Sequence, residues 1–596
     1  MAPKQQGKQR LPPTTAAAKN QAEQELAALM RKGQGDNLPA KIISQAGVYL
    51  RAAILISLMA ISANVSRLAL SPVYGQIPAS IYHDYVVWAF LFVGWATNVV
   101  LKRVLPFKTM ALIPVIAWYS PMVQTYLFRL SSTLSIKYGP IVTEALTVGP
   151  LLSLGAAYVA DILEEADMSA LPQTVADAIP GMGGFAVFRL NEAIMGQQLS
   201  LQMGRSLMQS RMGMQFVLAS VYSLMSRSKL LLWVIPAVLH AGIFNPHIPS
   251  PTANNNLNTT LSAQGWSLLD RWESITGYVS VIESHKDGYR LLRCDHSLLG
   301  GEWKNLPKTI VGEPVYSVFT QLEAVRLVEN PKKVPDHQAK ALNIGLGIGT
   351  TPSALIAHGI DTTIVEIDPI VYDFAVKYFD LPADHTAVIE DAISWGKKNI
   401  VTLAGHFDYI IHDVFTGGAE PIDLFTEEFL ETLRALLSPS GVIAIVSLSV
   451  RAESTGLTYG QNFAGDFTLP SLSIVAKTVK TVFPSCRIFR EMEAPPRETV
   501  EKEGRDFDNV IIFCTKTVGA ITFRQPTEAD FLKSYSRRNY LLPKHEVPDS
   551  AFMSGEKIGI LRHNETSILA ASHDTSAVGH WKIMRKVLPD SIWENW

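Results

Sequence analysis

The sequence predicts an α-helical transmembrane domain followed by an α/β domain with a doubly wound, mostly parallel sheet. Two observations carry that expectation. Residues 48–244 form a series of apolar blocks separated by short charged punctuation. After about residue 264, apolar strands alternate with helical patterns, the rhythm of strand–helix–strand crossovers. A chain of 596 residues is also too long for one hydrophobic core, so several domains are expected.

The first of these domains is framed by its flanks. Residues 1–40 are rich in Lys, Gln, Pro and Ala without hydrophobic period and read as a disordered tail, lacking the apolar core of a secretory signal. Within the transmembrane domain, 41–244, the blocks 48–66, 85–101, 109–128 and 145–160 approach the roughly 17–25 residues that span a bilayer. Two shorter blocks, 212–225 and 230–244, read as re-entrant or tilted segments. Lys4, Lys8, Arg10, Lys19, Arg31, Lys32, Lys41 and Arg51 precede or open the first span, the loop 70–84 has no Lys or Arg, and the next loop carries Lys102, Arg103 and Lys108. By the positive-inside rule the N-terminus is cytosolic, and an even number of spans places the C-terminal half there too. A transporter is not expected, because apart from Glu144 and Arg51 the clear spans carry almost no ionisable residues. Anchoring in the lipid bilayer is the expected role.

A Pro- and Asn-rich stretch, 245–264, reads as a linker. Segments 278–283 and 289–294 alternate like a hairpin and belong to a small β subdomain, 265–330. The sheet domain, 331–524, has strands at 341–345, 362–366, 409–413 and 442–447, alternating with helical patterns at 352–358, 370–379, 427–437 and 472–482. An extension, 525–596, ends in aromatic residues around His580, Trp581 and Trp596. The net charge of −2 gives no electrostatic case for nucleic acid. The three cysteines, Cys294, Cys486 and Cys514, show neither metal spacing nor a disulfide framework, so neither a zinc site nor a disulfide set is expected.

Candidate site residues cluster at strand ends. The first strand of the sheet domain runs into Gly345-Leu346-Gly347-Ile348-Gly349, where alternate glycines let the backbone turn tightly and approach a ligand. The second ends at Glu366, a carboxylate placed to accept both hydroxyls of a ribose. Asp391 offers a carboxylate for an adenine amino group. Asp413 ends the fourth element and points into the crevice beyond the sheet's carboxyl edge, where open α/β folds bind ligands. His412 reads as a packed strand-end histidine, and Tyr372 and Trp395 as core or adenine-facing residues. Residues 416–421 read as a mobile lid, while Arg451 and Glu453 read equally as acceptor-pocket or loop-capping residues.

Together these motifs resemble the spermidine/spermine synthase family of aminopropyltransferases, a branch of the Rossmann-like class I methyltransferase fold. The likeness runs from Tyr278 to about Lys516 and is strongest at Val365-Glu366-Ile367-Asp368-Pro369. It implies an S-adenosyl-sulfonium donor and no metal, with Gly345, Gly347, Ile348, Gly349, Glu366 and Asp391 holding the donor and Asp413 as general base. Asp295, Leu299, Gln321 and Thr416 fall at positions that resemble the family's amine pocket, and a homodimer like that of soluble relatives is implied. Ile348, Leu299 and Thr416 depart from the polar residues of polyamine synthases, and a polycation needs carboxylates to replace its water shell. Ile348 also removes an Asp that would repel the carboxylate of S-adenosylmethionine. Methyl transfer to an amine, hydroxyl or lipophilic small molecule is therefore favoured. Aminopropyl transfer from decarboxylated S-adenosylmethionine is the alternative, and a non-catalytic binding scaffold the third reading.

Overall fold

The computed structural model describes residues 38–168, 172–226, 228–307, 309–414, 421–447, 466–504, 506–554 and 558–596. The expected tail and most of the expected lid, with Thr416, lie outside them, as do Arg451 and Glu453.

The N-terminal part is a helical bundle: α1 (Leu38–Tyr74), α2 (His83–Val104), α3 (Ile113–Phe128), α4 (Ser131–Leu146), α5 (Val148–Leu163), α6 (Gly184–Gln202) and α7 (Arg211–Met225). Ile42–Tyr74 and Gln76–Val104 are long and apolar enough to cross a membrane, and α4 with α5, bent by 41°, gives a third span if the pair is counted as one. The blocks that contain α3 and α7 are apolar but short, 16 and 15 residues of helix, and α3 runs on through Pro121. Helix α6 was not expected. Its Arg189, Asn191 and Glu192 dilute the hydrophobic signal, yet the helix lies along α1, where Asn64 donates to the Glu192 carbonyl at 2.9 Å.

The expected linker is instead partly helical. Ser250 caps α8 (Pro251–Ser262) by accepting from the Ala253 N–H, and Pro251 opens the first turn. Leu257 and Leu261 bury beneath β1, Asn254 and Asn258 hydrogen-bond to residues of that strand, and Asn255 and Asn256 are exposed. The small subdomain is a five-stranded antiparallel sheet: β1 (Trp266–Glu273), β2 (Tyr278–Ser284), β3 (Tyr289–Cys294), β4 (Ser297–Trp303) and β5 (Glu313–Pro314). Its second and third strands are the expected hairpin.

The large sheet contains β6 (Lys340–Ile344), β7 (Asp361–Glu366), β8 (Thr386–Ile389), β9 (Phe407–His412), β10 (Leu437–Ser447), β11 (Ser485–Arg490), β12 (Val510–Thr515) and β13 (His545–Glu546). Their spatial order is β13-β11-β12-β10-β9-β6-β7-β8, parallel from β8 to β10 and antiparallel beyond. The order reverses at β6, so its carboxyl end opens a crevice between β7 and β9. Helices α9 (Thr350–Ala357), α10 (Pro369–Tyr378), α11 (Ala392–Asn399), α12 (Glu427–Leu436) and α13 (Pro470–Val482) alternate with the strands. Apolar residues fill both faces of the sheet, as parallel strands covered on two sides require.

The expectation of no disulfide is corrected by one bond. Cys486 and Cys514 stand directly opposite in the β11–β12 register and are joined, although 28 residues separate them. Sequence spacing misses such a pair because antiparallel pairing, not local proximity, brings the thiols together.

The extension ends in α14 (Ser567–Val587) and α15 (Asp590–Glu594), which fasten the small sheet to the bundle. Trp581 and Trp596 pack with Leu70, Tyr74, Phe128 and Tyr278. Trp581 Nε1 donates to the Val73 carbonyl at 3.0 Å, and the buried Arg293 guanidinium donates to the carbonyls of Pro72 and Ile592. Beside it Arg211 of α7 pairs with Glu273 at 3.0 Å and Asp295 at 3.3 Å, again across the two units.

Candidate active site

The site begins with the turn after β6. Gly345 and Gly347 both have positive φ. A Cβ on Gly345 would sit 2.0 Å from the Asp413 carbonyl, and one on Gly347 2.5 Å from the Leu299 carbonyl. Glycine at these positions therefore lets the loop touch β9's end on one side and the small sheet on the other.

That turn lines a cavity of about 450 Å³ at the carboxyl edge of the sheet. Leu346, Glu366, Asp391, Asp413, Phe319 and Leu299 contribute to its wall. Its size lies in the usual range of small-molecule sites, roughly 300–1,000 Å³.

Glu366 is buried at the tip of β7. Its carboxylate accepts from the Leu346 N–H at 2.9 Å and the Asp368 N–H at 2.8 Å, tying β7 to the glycine turn. Burial, opposed by those hydrogen bonds, pushes its pKa up to about 7. Asp391 caps α11, accepting from the Ser394 N–H at 2.8 Å, and still faces the cavity. Asp413 lies where β9 gives way to a loop, and its N–H donates to the Ile344 carbonyl at 2.9 Å. Burial pushes its carboxyl up to about 7, the range in which a general base works at neutral pH. The residues thus fit an adenosyl donor: a glycine turn, a ribose-level carboxylate and a second carboxylate in sequence around one crevice.

Other expected site residues fall elsewhere. Ile348 is not on the cavity wall but packs in an apolar cluster with Val279, Val281, Leu292, Val371 and Phe374. The reason is Gly300 opposite it, where a Cβ would lie 2.9 Å from the Ile348 side chain, so the small sheet closes directly over this residue. Gly349 starts α9 in a left-handed conformation and is likewise off the wall. Gln321 is buried behind Phe319 and does not line the cavity either. Asp295 does line it, but its carboxylate is committed: Arg211 pairs with it, and the Tyr278 N–H donates to it at 2.8 Å. His412 Nε2–H donates to the Leu424 carbonyl, 2.9 Å away, and the ring packs on Phe425; burial lowers its pKa to about 4. It is a packed strand-end residue, as expected. Trp395 sits in the core beside Phe407, and Tyr372 meets His385 at 3.1 Å.

Sequence reasoning missed the contributors from outside the sheet domain. Gly75 and Gln76, in the turn after α1, line the cavity, as do His296 and Ser297 in the β3–β4 turn. No motif marks them; their role follows only from docking the helical bundle against the small sheet.

Comparison with known proteins agrees with this geometry. Residues 323–489 match the spermine/spermidine synthase domain family. An N-terminal histidine N-methyltransferase from Emericella nidulans is 43% identical over 561 residues, covering 91% of this chain and 97% of that protein. A polyamine aminopropyltransferase from Vibrio vulnificus is 36% identical over 140 residues, covering 23% of this chain and 44% of that one. Among solved structures, the spermidine synthase of Thermotoga maritima aligns with a TM-score of 0.30 at 18% identity, over 46% of this chain and 84% of its own. The long match runs through bundle, sheet and extension alike, so the chain belongs to the family of the Emericella nidulans enzyme, the S-adenosylmethionine-dependent methyltransferases built on a spermidine-synthase-like domain.

Proposed function

We propose that this enzyme methylates a nitrogen of the N-terminal histidine of a peptide or protein, with Asp413 as the general base. The observation that carries the acceptor is the 43% identical relative, an N-terminal histidine N-methyltransferase, matched over nearly its whole length. The cavity supports it. Two of the cavity's carboxylates are not free for a polyamine's ammonium groups: Asp295 is paired with Arg211, and Glu366 is tied to the backbone. Either kind of nitrogen on that residue, the α-amino group of ordinary pKa about 7.7–8.0 or the imidazole of about 6.5, needs only one proton removed near neutrality, and Asp413 is matched to that task. S-adenosylmethionine supplies the electrophilic methyl carbon, and the chain positions that nitrogen in line with it. The glycine turn and Glu366 hold the donor end, while Asp413 accepts the proton of the nitrogen that takes the methyl group.

The same reading makes the bundle a multi-pass anchor and places the catalytic domain on the non-cytosolic face. Arg51–Glu165 and Lys102 with Asp161 and Glu164 mark one end of the bundle, and the sequence before Arg51 is rich in Lys and Arg. The catalytic domain docks on Pro72 and Val73, at the other end of α1. The 21 residues of helix from Arg51 to Pro72 rise about 30 Å, the thickness of a bilayer core. With the basic end cytosolic by the positive-inside rule, the domain faces the opposite side, reversing the even-span expectation. The Cys486–Cys514 disulfide supports the same side, since such bonds persist in oxidising compartments.

Calorimetry on the full-length protein in detergent tests the donor. Tighter binding of S-adenosylmethionine than of its decarboxylated form is expected. The reverse preference would restore aminopropyl transfer.

A further inference from the structure

Part of the cavity wall is built by segments outside the matched domain, residues 323–489. Gln76, from the turn after α1, donates to the Thr276 carbonyl at 2.6 Å and to Asp295 at 3.3 Å, fastening the bundle to the cavity rim. His296, from the β3–β4 turn, is held on three sides. Its ring lies 4.2 Å from that of Trp593 and 5.7 Å from that of Trp581, and Arg585 Nε donates to its Nε2 at 3.1 Å.

This arrangement fixes the tautomer. A ring nitrogen that accepts a hydrogen bond carries no proton, so the proton of the neutral imidazole sits on Nδ1. Burial, then the charges of Arg585, His580 and Arg293, hold the ring well below its ordinary pKa, so it stays neutral. Among the described residues neither His296 Nδ1 nor the neighbouring Ser297 Oγ has a partner, although both side chains are buried and both residues line the cavity. Buried donors are rarely left unsatisfied, and a site that leaves them open can be completed by a ligand's acceptor atoms.

We propose that His296 is the acceptor-specificity residue, its Nδ1–H donating to an uncharged acceptor atom on the first residue of the methylated peptide, the carbonyl oxygen or a ring nitrogen, with Ser297 Oγ beside it. The inference rests on the N-terminal histidine reading. It also explains selection against polyamines. An alkylammonium chain offers only N–H donors, which a fixed neutral donor cannot use, whereas a peptide N-terminus places a carbonyl two bonds from its amine.

The test uses full-length protein in detergent, with short peptides led by histidine or by alanine. His296→Asn keeps an N–H near the Nδ1 position, and His296→Leu keeps bulk without a donor. The leucine variant should raise the acceptor KM about tenfold while the asparagine variant stays within about threefold, and the Kd for S-adenosylmethionine should change less than about twofold in both. Equal KM values for the two variants, or a parallel loss of donor binding, overturn the proposal. If His296→Leu fails to fold, Ser297→Ala decides: a several-fold rise in KM supports the site, and no change overturns it. A wild type that methylates both peptides equally rejects the histidine reading while the variant ratios still judge His296. A wild type inactive on both rejects both.

Discussion

Asp413 is the residue on which the chemistry turns. A base accepts a proton only when ionised, and burial holds this carboxyl at about 7. kcat/KM should therefore rise with pH through about 7 as Asp413 ionises. Asp413→Asn should lower kcat by roughly 10²–10⁴-fold and abolish the lower limb of the profile, with donor affinity kept. A variant that retains the limb would assign it to another group. Glu366 acts differently, because both its oxygens already accept backbone N–H groups. Glu366→Gln turns one acceptor against an N–H, at a cost of about 1–3 kcal/mol. A lowered Tm together with weaker S-adenosylmethionine binding by calorimetry is the expected result.

At the level of elements, the sequence was legible where local periodicity decides the outcome. The strands ending at Ile344, Glu366 and His412 alternate with helices close to their expected bounds, because buried parallel strands read as apolar runs between helical patterns. The site residues at those strand ends, Glu366, Asp391 and Asp413, all reach one cavity for the same reason. What was not legible depends on distant partners. Strand β8 is only four residues long, Thr386–Ile389, too short for an apolar run or a periodicity to mark it. Ile348 was read as a donor contact, but Gly300 lets the small sheet cover it. Gly345 makes the reciprocal point: with its missing Cβ only 2.0 Å from the Asp413 carbonyl, Gly345→Ala must displace either the glycine turn or the end of β9. That variant should lose donor binding by calorimetry while far-UV circular dichroism remains native-like.

The whole molecule is held together by charges buried between bundle and catalytic domain. Arg211, with its side chain 1% exposed, pairs with Glu273 and Asp295 at 4% and 6%. Arg211→Met leaves two carboxylates buried without their cation, and a loss of about 3–5 kcal/mol is expected, read as a drop in Tm. The placement of the domain is testable through its N-x-T triplets. Asn564 is exposed, whereas the Asn258 side chain exchanges hydrogen bonds with the Leu268 backbone at 2.7 and 2.9 Å. Expression in eukaryotic cells should give a glycan that Asn564→Gln removes and Asn258→Gln does not; an unglycosylated wild type would return the domain to the cytosolic face. These features serve one reaction, and mass spectrometry of a histidine-led peptide incubated with the full-length protein and S-adenosylmethionine measures it directly. A mass gain of one methylene unit, localised to the N-terminal histidine and absent in Asp413→Asn, is the result expected. No transfer from S-adenosylmethionine, or aminopropyl transfer when the decarboxylated donor replaces it, would contradict the account.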